Sequence, residues 1–454
     1  MDITTPQTDS ARADSKRTKS GRKAAFAGGV GTMIEGYDFS MYGYMAVIIA
    51  PLFFPSDNDV SSLLLTLSVF AAAYAARPLG GLVFGYVGDR VSRRTALLTT
   101  LLMMGLASAA IGLLPTALSV GPIASVGLVV LRLIQGFSVG GEVAGAATLV
   151  SEAAPVGRKG RYGALNPFGA TLGFAVASAV AGLVSLLTTD EQMASWGWRI
   201  PFLVALPLAV VCLALRRSLV HEAPATKKQA AKSPVVAVFT TWRKQLLQAS
   251  GISLAVNGSA YFGLTYLSIH LIQQLGYPKT SVYWTTTIVV ALAAFLMLVT
   301  GRLGDRIGLP ALAGIGLAGY FAVTFAAMVV MGQGSLLLAG IAFLLIMVNT
   351  SFLQVAGYSM IPELFGRTVR YTGTALGWNI GVVIAGGTAP VLCVWLVDRT
   401  GSALSPALFV MGLCVVGGAA VWSVHRSRDS RPIDDHEADQ VIARPVDQDV
   451  VDAG

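Results

Sequence analysis

Charge is scarce in this 454-residue chain: Asp, Glu, Lys and Arg together make up 12% of it. A soluble globular protein carries about 25%. With 54% of its residues hydrophobic, the chain has too little polar surface to cover a water-soluble body of its size. The mean hydropathy of +0.67 agrees, and lipid is the solvent this sequence suits. Cysteine is scarce too. Cys212, Cys393 and Cys414 fall inside apolar runs without metal or Cys-x-x-Cys spacing, and read as small packing residues. Four scattered histidines (His221, His270, His425 and His436) lack ligand spacing, so no metal site is expected. No Gly-x-x-x-x-Gly-Lys loop occurs, which argues against ATP-driven work, and no catalytic constellation or cofactor site stands out. The expectation is that the chain is not an enzyme.

A net charge of +8 raises the question of nucleic acid, but the basic residues sit in short clusters between apolar runs, where they set membrane topology. The first 24 residues are polar and basic, and the apolar run behind them is too long for a signal h-region, so no cleavable signal is expected.

A spanning helix needs about 20 mostly apolar residues. Twelve such runs can be marked, near 25–50, 61–87, 95–116, 122–150, 162–187, 198–215, 246–274, 281–303, 310–331, 335–359, 371–397 and 404–424. They lack the ten-residue alternation of a β-barrel. The fold class expected is therefore an all-α membrane protein of twelve helices in two pseudo-symmetric halves. Fifty glycines suit the close helix approaches of such a bundle. Alternate loops carry the Lys and Arg: the N-terminal stretch, Arg90/Arg93/Arg94, Arg158/Lys159/Arg161, Arg302/Arg306, Arg367/Arg370 and the loop between runs six and seven. On the other side only Arg199, Lys279 and Arg399 stand out. Both termini are thus expected in the cytoplasm. The implied organisation is an N-terminal tail (1–24), a six-helix half (25–215), a linker (216–245), a second half (246–425) and a C-terminal tail (426–454). Residues 1–22 and about 427–454 have the composition of disordered tails.

A short phrase occurs twice. Gly85-Tyr86-Val87-Gly88-Asp89-Arg90-Val91-Ser92-Arg93-Arg94 ends one run, and Gly301-Arg302-Leu303-Gly304-Asp305-Arg306-Ile307-Gly308 ends another. A second pair corresponds at nearly the same separation: Ser151-Glu152 leading to Arg161-Tyr162-Gly163, and Pro362-Glu363 leading to Arg370-Tyr371-Thr372-Gly373. Recurrence of both in each half indicates one unit built twice, a parallel repeat about the membrane normal.

The Gly-x-x-x-Asp-Arg phrase between spans two and three resembles the signature loop of the major facilitator superfamily. Ser92 stands at its second glycine, and Leu309-Pro310 replaces the basic pair in the second copy. Three further stretches resemble the metabolite–proton symporter family: Gly31-Thr32-Met33-Ile34-Glu35-Gly36-Tyr37-Asp38-Phe39, Ala76-Arg77-Pro78-Leu79-Gly80-Gly81, and Arg132-Leu133-Ile134-Gln135-Gly136-Phe137-Ser138-Val139-Gly140-Gly141-Glu142. The resemblance covers about 25–425 and implies a secondary transporter working by alternating access, able to function as a monomer. Gly36 departs from it, standing where the family usually has an aromatic residue; a missing ring there suggests a wider cavity.

Charges at membrane depth are costly, at least about 2.5–3.5 kcal/mol each on insertion scales, and default to functional candidates. At about 1.5 Å rise per residue, Glu35 lies roughly 15 Å into span one, near the midplane. Asp38 follows one turn later on roughly the same face. A carboxyl group in low-dielectric surroundings holds its proton more tightly, which brings exchange toward neutral pH. Glu35 and Asp38 are therefore candidates for proton coupling or substrate contact; pairing with an arginine to hold helices together is the structural alternative. Arg77 and Arg132 are placed to grip a substrate carboxylate bidentately, or to neutralise Glu35, Asp38 or Glu142. Glu142 favours an ion pair over substrate contact. Tyr42, Asn257, Tyr261, Tyr266, Trp378 and Asn379 are candidates for the cavity wall, each equally readable as helix packing, and His270 reads as interfacial.

At the positive ends, Asp89, Arg90, Arg93, Arg94, Glu152 and Arg161, with their counterparts Asp305, Arg306, Glu363 and Arg370, are candidates for a salt-bridge gate between the halves; otherwise they set topology. The expected activity is proton-coupled uptake of a small polar metabolite, an organic acid or zwitterion, across the plasma membrane. The alternatives are a proton-coupled exporter of a drug or metabolite, and a membrane sensor without transport. Residues 426–454 carry Asp and Pro without heptads, which disfavours an osmolyte carrier with a coiled-coil C-terminus.

Overall fold

The computed structural model describes residues 7–90, 93–140, 142–155, 157–219, 234–366 and 368–428. Residues 220–233 of the linker and the C-terminal tail beyond Arg428 lie outside it, as do Ser92, Gly141 and Arg367. The described residues form twelve rods. Spans one to three are Gln7–Phe53, Asp59–Arg90 and Arg93–Leu113. Span four runs from Ile123–Val139 into Glu142–Ala153, span five is Lys159–Leu187 and span six Arg199–Leu219. Span seven runs from Arg243–Tyr261 through a wide π turn, Phe262–Tyr266, to Leu267–Gln273. Spans eight to twelve are Lys279–Ile307, Leu309–Met331, Leu336–Met360, Arg370–Thr400 and Ser405–Arg428. A helix satisfies its own backbone groups, so it needs no water along its length.

By length and composition alone, seven helices among the described residues can cross a membrane, or up to eight if the bent pair Asp190–Gly197 and Arg199–Val211 is one span. The other rods are shorter in their apolar part, such as Leu98–Leu113 and Ile123–Val139, or carry polar groups inward, as spans one and seven do. Span one also begins earlier than its apolar run. It is helical from Gln7, where a disordered tail was expected; the Ala, Lys, Arg and Gln of that stretch are good helix formers.

The halves pair their helices alike. Span one packs on five, two on four and three on six; seven packs on eleven, eight on ten and nine on twelve. Across the halves, five lies against eight and two against eleven.

Two bases on the sparsely charged side have local partners. Arg199 Nη1 donates to the carbonyls of Gly112 (3.0 Å) and Leu114 (2.5 Å), and so caps the end of span three. Lys279 pairs with Asp190 at 3.1 Å, joining the halves. Ser185 and Thr280 (2.7 Å) and a bond from Tyr283 Oη to the carbonyl of Tyr44 (2.9 Å) also close that end.

Gly36 is where span one meets span five. A Cβ there would lie 3.0 Å from the carbonyl carbon of Ala170 and 3.2 Å from its Cα, with the carbonyl oxygen closer still. The wider cavity expected from a missing ring is therefore corrected: the glycine lets two backbones touch, and any side chain would part them. Gly36→Ala should lower the melting temperature in detergent, an overpacking effect of about 1–3 kcal/mol. Gly412→Ala, whose Cβ would meet nothing within 4 Å, should leave it unchanged.

Candidate functional site

Span one presents a stripe of Thr32, Glu35, Gly36 and Phe39 to an enclosed cavity between the halves. This is helical spacing, three and four apart. Arg77, Ala170, Phe174, Asn257, Tyr261, Tyr358 and Trp378 complete the wall. Water centres can occupy about 40 Å³ of it, room for a few waters and little more.

Glu35 and Arg77 form an ion pair at 3.5 Å, both buried. Arg77 lies between two rings, 4.3 Å from the centroid of Phe39 and 4.2 Å from that of Tyr74. Its Nε is buried without a hydrogen-bond partner among the described residues. Pro78 follows inside span two; lacking an N–H, it leaves the carbonyl of Tyr74 without its helical donor and loosens the helix beside the guanidinium. Tyr74 Oη donates to Tyr261 Oη at 2.5 Å, linking the halves at the cavity wall. Tyr358 and Trp378 meet edge to face at 4.4 Å on the second-half side.

Asp38 departs from the expected shared face with Glu35. It turns away from the cavity, toward spans three and four, and is 2% exposed. Ser108 Oγ donates to Asp38 Oδ1, and Gln135 Nε2 donates to Asp38 Oδ2 at 2.9 Å. Gln135 Nε2 also reaches Ser108 Oγ. Arg132 Nη1 donates to Gln135 Oε1 at 2.8 Å, so the glutamine bridges acid and base. Arg132 is fully buried, 4.2 Å from the Tyr42 ring, 5.1 Å from Phe39 and 5.6 Å from Phe70. Among the described residues these membrane charges therefore form two groups: one borders the cavity, and one is sealed within the first half.

Of the expected wall residues, Asn257, Tyr261 and Trp378 line the cavity. Tyr42 does not; its hydroxyl donates to the carbonyl of Thr66 (3.0 Å) beneath Arg132. Tyr266 is buried with its hydroxyl 3.2 Å from His270 Nδ1, and His270 is itself buried rather than interfacial. Asn379 sits beside the wall, reaching the carbonyl of Gly140 at 3.5 Å. The side chains of Asp89, Arg90, Arg93, Arg94, Glu142 and Glu152 lie outside the described residues.

At the basic end of the bundle Arg161 pairs with Asp305 at 3.3 Å, and Lys159 with Glu363 at 2.8 Å, both across the halves. Asp305 also accepts the backbone N–H of Gly160 at 2.7 Å. Two expected members are elsewhere. Arg370 Nε donates to the carbonyl of Phe365, within its own half, and Arg306 is exposed. Lys159 was not singled out, because nothing distinguishes it from Arg158 in a basic cluster. Gln135 and Ser108 are neutral and carried no signal, and the wall rings of Phe39, Phe174 and Tyr358 look like any apolar helix face.

A family model described as the Major Facilitator Superfamily matches residues 29–378 and, a second time, 249–447. The ectoine/proline transporter ProP of Corynebacterium glutamicum is 34% identical over 411 residues, covering 86% of this chain and 81% of its own length. The proline/betaine transporter of Salmonella typhimurium is 33% identical over 412 residues (87% and 82%). A putative proline/betaine transporter of Staphylococcus aureus is 32% identical over 435 residues, 93% of each chain. Among solved structures, the proton:xylose symporter XylE bound to 6-bromo-6-deoxy-D-glucose superposes with a TM-score of 0.71 over 90% of this chain and 96% of that one, at 16% identity. That likeness is one of fold.

The sealed network should behave as a unit. Arg132→Met leaves the buried Asp38 with only the neutral donors Ser108 and Gln135 and should destabilise the protein by about 3–5 kcal/mol. Adding Asp38→Asn should recover part of that loss. A double-mutant cycle of melting temperatures checks it, and simple additivity would mean that the two groups are not linked through Gln135.

Proposed function

Since the chain belongs to the Major Facilitator Superfamily, and is a multi-pass membrane transporter rather than an enzyme, we propose that it imports a small zwitterion together with protons across the plasma membrane. The observation that carries this reading is the Glu35–Arg77 pair in an aromatic cavity. A solute bearing both charges replaces the pair without stranding either partner: its carboxylate takes Arg77, and its cationic end takes Glu35 and the rings of Tyr261, Tyr358 and Trp378. An organic anion would leave Glu35 uncompensated, and a simple cation would leave Arg77 so. Breaking a buried pair in that way is strongly unfavourable. Aromatic walls favour onium groups through their ring quadrupoles. Solutes of the ectoine, betaine and proline kind, for which the relatives are named, have this chemistry. The want of heptads in 426–454, which weighed against an osmolyte carrier, concerns the tail and leaves the cavity's chemistry untouched.

Glu35 is engaged at the solute site, so the proton is assigned to Asp38 in the sealed network. Entry of each positive charge then gains about 2.3 kcal/mol per 100 mV. The basic loops and both termini are assigned to the cytoplasm on the Lys and Arg asymmetry. The Lys159–Glu363 and Arg161–Asp305 pairs then form the inner gate, and the Tyr44–Tyr283 contact closes the outer end.

In proteoliposomes with an inward proton gradient, radiolabelled glycine betaine or proline should accumulate, while malate and xylose should not. Accumulation should stop when a protonophore collapses the gradient, and Asp38→Asn should exchange solute without concentrating it. Uptake indifferent to the gradient would reject symport, and unchanged uptake in both Glu35→Gln and Asp38→Asn would remove these residues from the mechanism.

The inner gate has its own test. Asp305→Arg should leave the inner end more often open, raising labelling of a single cysteine placed at Ser359, which packs against Gly163. Combining it with Arg161→Asp should bring labelling back toward wild type. For a pair whose arginine is nearly half exposed to solvent the effect is about 1 kcal/mol or less, up to roughly fivefold in labelling rate.

A further inference from the structure

Both buried guanidinium groups approach one ring. Phe39 lies 4.3 Å from Arg77 and 5.1 Å from Arg132, measured from guanidinium carbon to ring centroid. Their other ring contacts are separate: Tyr74 serves Arg77, while Tyr42 and Phe70 serve Arg132. Phe39 also borders the cavity, follows Asp38 directly, and meets Tyr74 edge to face at 5.2 Å. One side chain thus touches both the solute site and the sealed network, which otherwise occupy different sides of span one.

We propose that Phe39 is a positioning residue that couples occupancy of the cavity to the charge state of the Asp38–Gln135–Arg132 network. The inference rests on the functional reading above. The physical basis is competition. An aromatic ring attracts a cation through its quadrupole, and the attraction is greater where the cation is less neutralised and less hydrated. When a solute carboxylate takes over Arg77 bidentately, in place of Glu35 at 3.5 Å, that guanidinium is held more closely and its draw on the ring falls. The ring is then free to settle toward Arg132. Arg132 is bonded to Gln135, and Gln135 to Asp38, so movement of the guanidinium alters the hold on the carboxylate. In the reverse direction, a proton on Asp38 leaves Arg132 less compensated, draws the ring toward it and releases Arg77 for the solute. The charged and titratable groups that face this assembly are Glu35, Asp38 and Tyr42 from span one, Arg77 and Tyr74 from span two, Arg132 from span four, and Tyr261 and Tyr358 from the second half.

The test separates movement from coupling. The full chain is placed in liposomes with the membrane potential clamped, and radiolabelled glycine betaine is followed in two ways. Counterflow needs alternating access alone; accumulation under an inward pH step needs coupling. At one proton per solute, wild type should concentrate the label up to about tenfold per pH unit. Phe39→Leu should lose about fivefold or more of its accumulation relative to its own counterflow, within the range of ordinary coupling energies. Phe39→Tyr, which retains the ring, should keep the wild-type ratio of accumulation to counterflow. Phe39→Met stands in if the leucine variant fails to fold. Accumulation by the folded variants at the wild-type level overturns the proposal, as does equal loss of counterflow and accumulation. Failure of wild type to move glycine betaine counts against the functional reading alone. The coupling is then read without solute, from melting temperature against pH: a midpoint moved in Phe39→Leu and not in Phe39→Tyr supports it, and superimposable curves overturn it.

Discussion

Two guanidinium groups inside a lipid-embedded bundle are the constraint on which this structure turns. Arg132 is sealed from water and Arg77 meets only a cavity with room for a few waters, so each must be satisfied largely where it stands. The solution is the same in kind for both: a carboxylate from span one, reached directly at Arg77 and through Gln135 at Arg132, with aromatic rings on the remaining faces. Spans one, two and four are thereby tied together by charge as well as by packing. The glycines follow from this requirement. Gly136 and Gly140 of span four bring their backbone so close to Ala73 and Arg77 of span two that a Cβ at either would overlap a carbonyl. At that separation Phe39 meets both arginines, Tyr74 meets Arg77 and Phe70 meets Arg132.

The two halves share helix pairing but not charge. In the first half, Asp38, Ser108, Gln135 and Arg132 connect spans one, three and four. In the second, the corresponding spans seven, nine and ten meet through neutral groups: Tyr320 Oη donates to the carbonyl of Ser259 (3.0 Å) and lies 2.5 Å from Thr350 Oγ1. One architectural crossing is thus filled twice, once with an acid and a base joined through an amide and once with hydroxyls. The second half contributes neutral and aromatic wall instead: Asn257, Tyr261, Tyr358 and Trp378. The described membrane charges thus lie in the first half, while both halves, alike in helix pairing, supply the cavity wall.

The twelve spans, the repeat and the family were legible in the sequence because each is written in long-range patterns: apolar length, loop charge and recurring phrases. The buried charges were legible as exceptions to the first pattern. What they face was not. Asp38 and Glu35 are three residues apart, which on a helix of 3.6 residues per turn leaves them about 60° out of line. That angle is enough to send one carboxylate to the cavity and the other to spans three and four. Gly36 shows the same limit: a glycine beside a functional residue reads equally as open space or as a tight crossing, until the partner, Ala170, is known. Lys159 and Arg158 could be told apart only by which of them meets Glu363.

The closures at the two ends differ in chemistry, and the difference bears on how the cavity opens. The basic end is shut by ion pairs at its watery margin, Lys159–Glu363 and Arg161–Asp305, whose cations are nearly half exposed. Such pairs are weak singly and screened by salt. The other end has one exposed pair, Lys279–Asp190, but is otherwise sealed by buried contacts: Tyr283 to the carbonyl of Tyr44, and Ser178 to the carbonyl of Tyr283 at 2.7 Å. From there a series of rings, Tyr44, Phe174, Tyr261 and Tyr74, runs inward to Arg77. Opening that end must therefore disturb the rings that hold the solute site, whereas opening the basic end need only separate charges already in contact with water. Under the proposed import, the outward opening is thus coupled to the solute site and the inward one is released with little disturbance of it, while the proton gradient sets the direction of net movement.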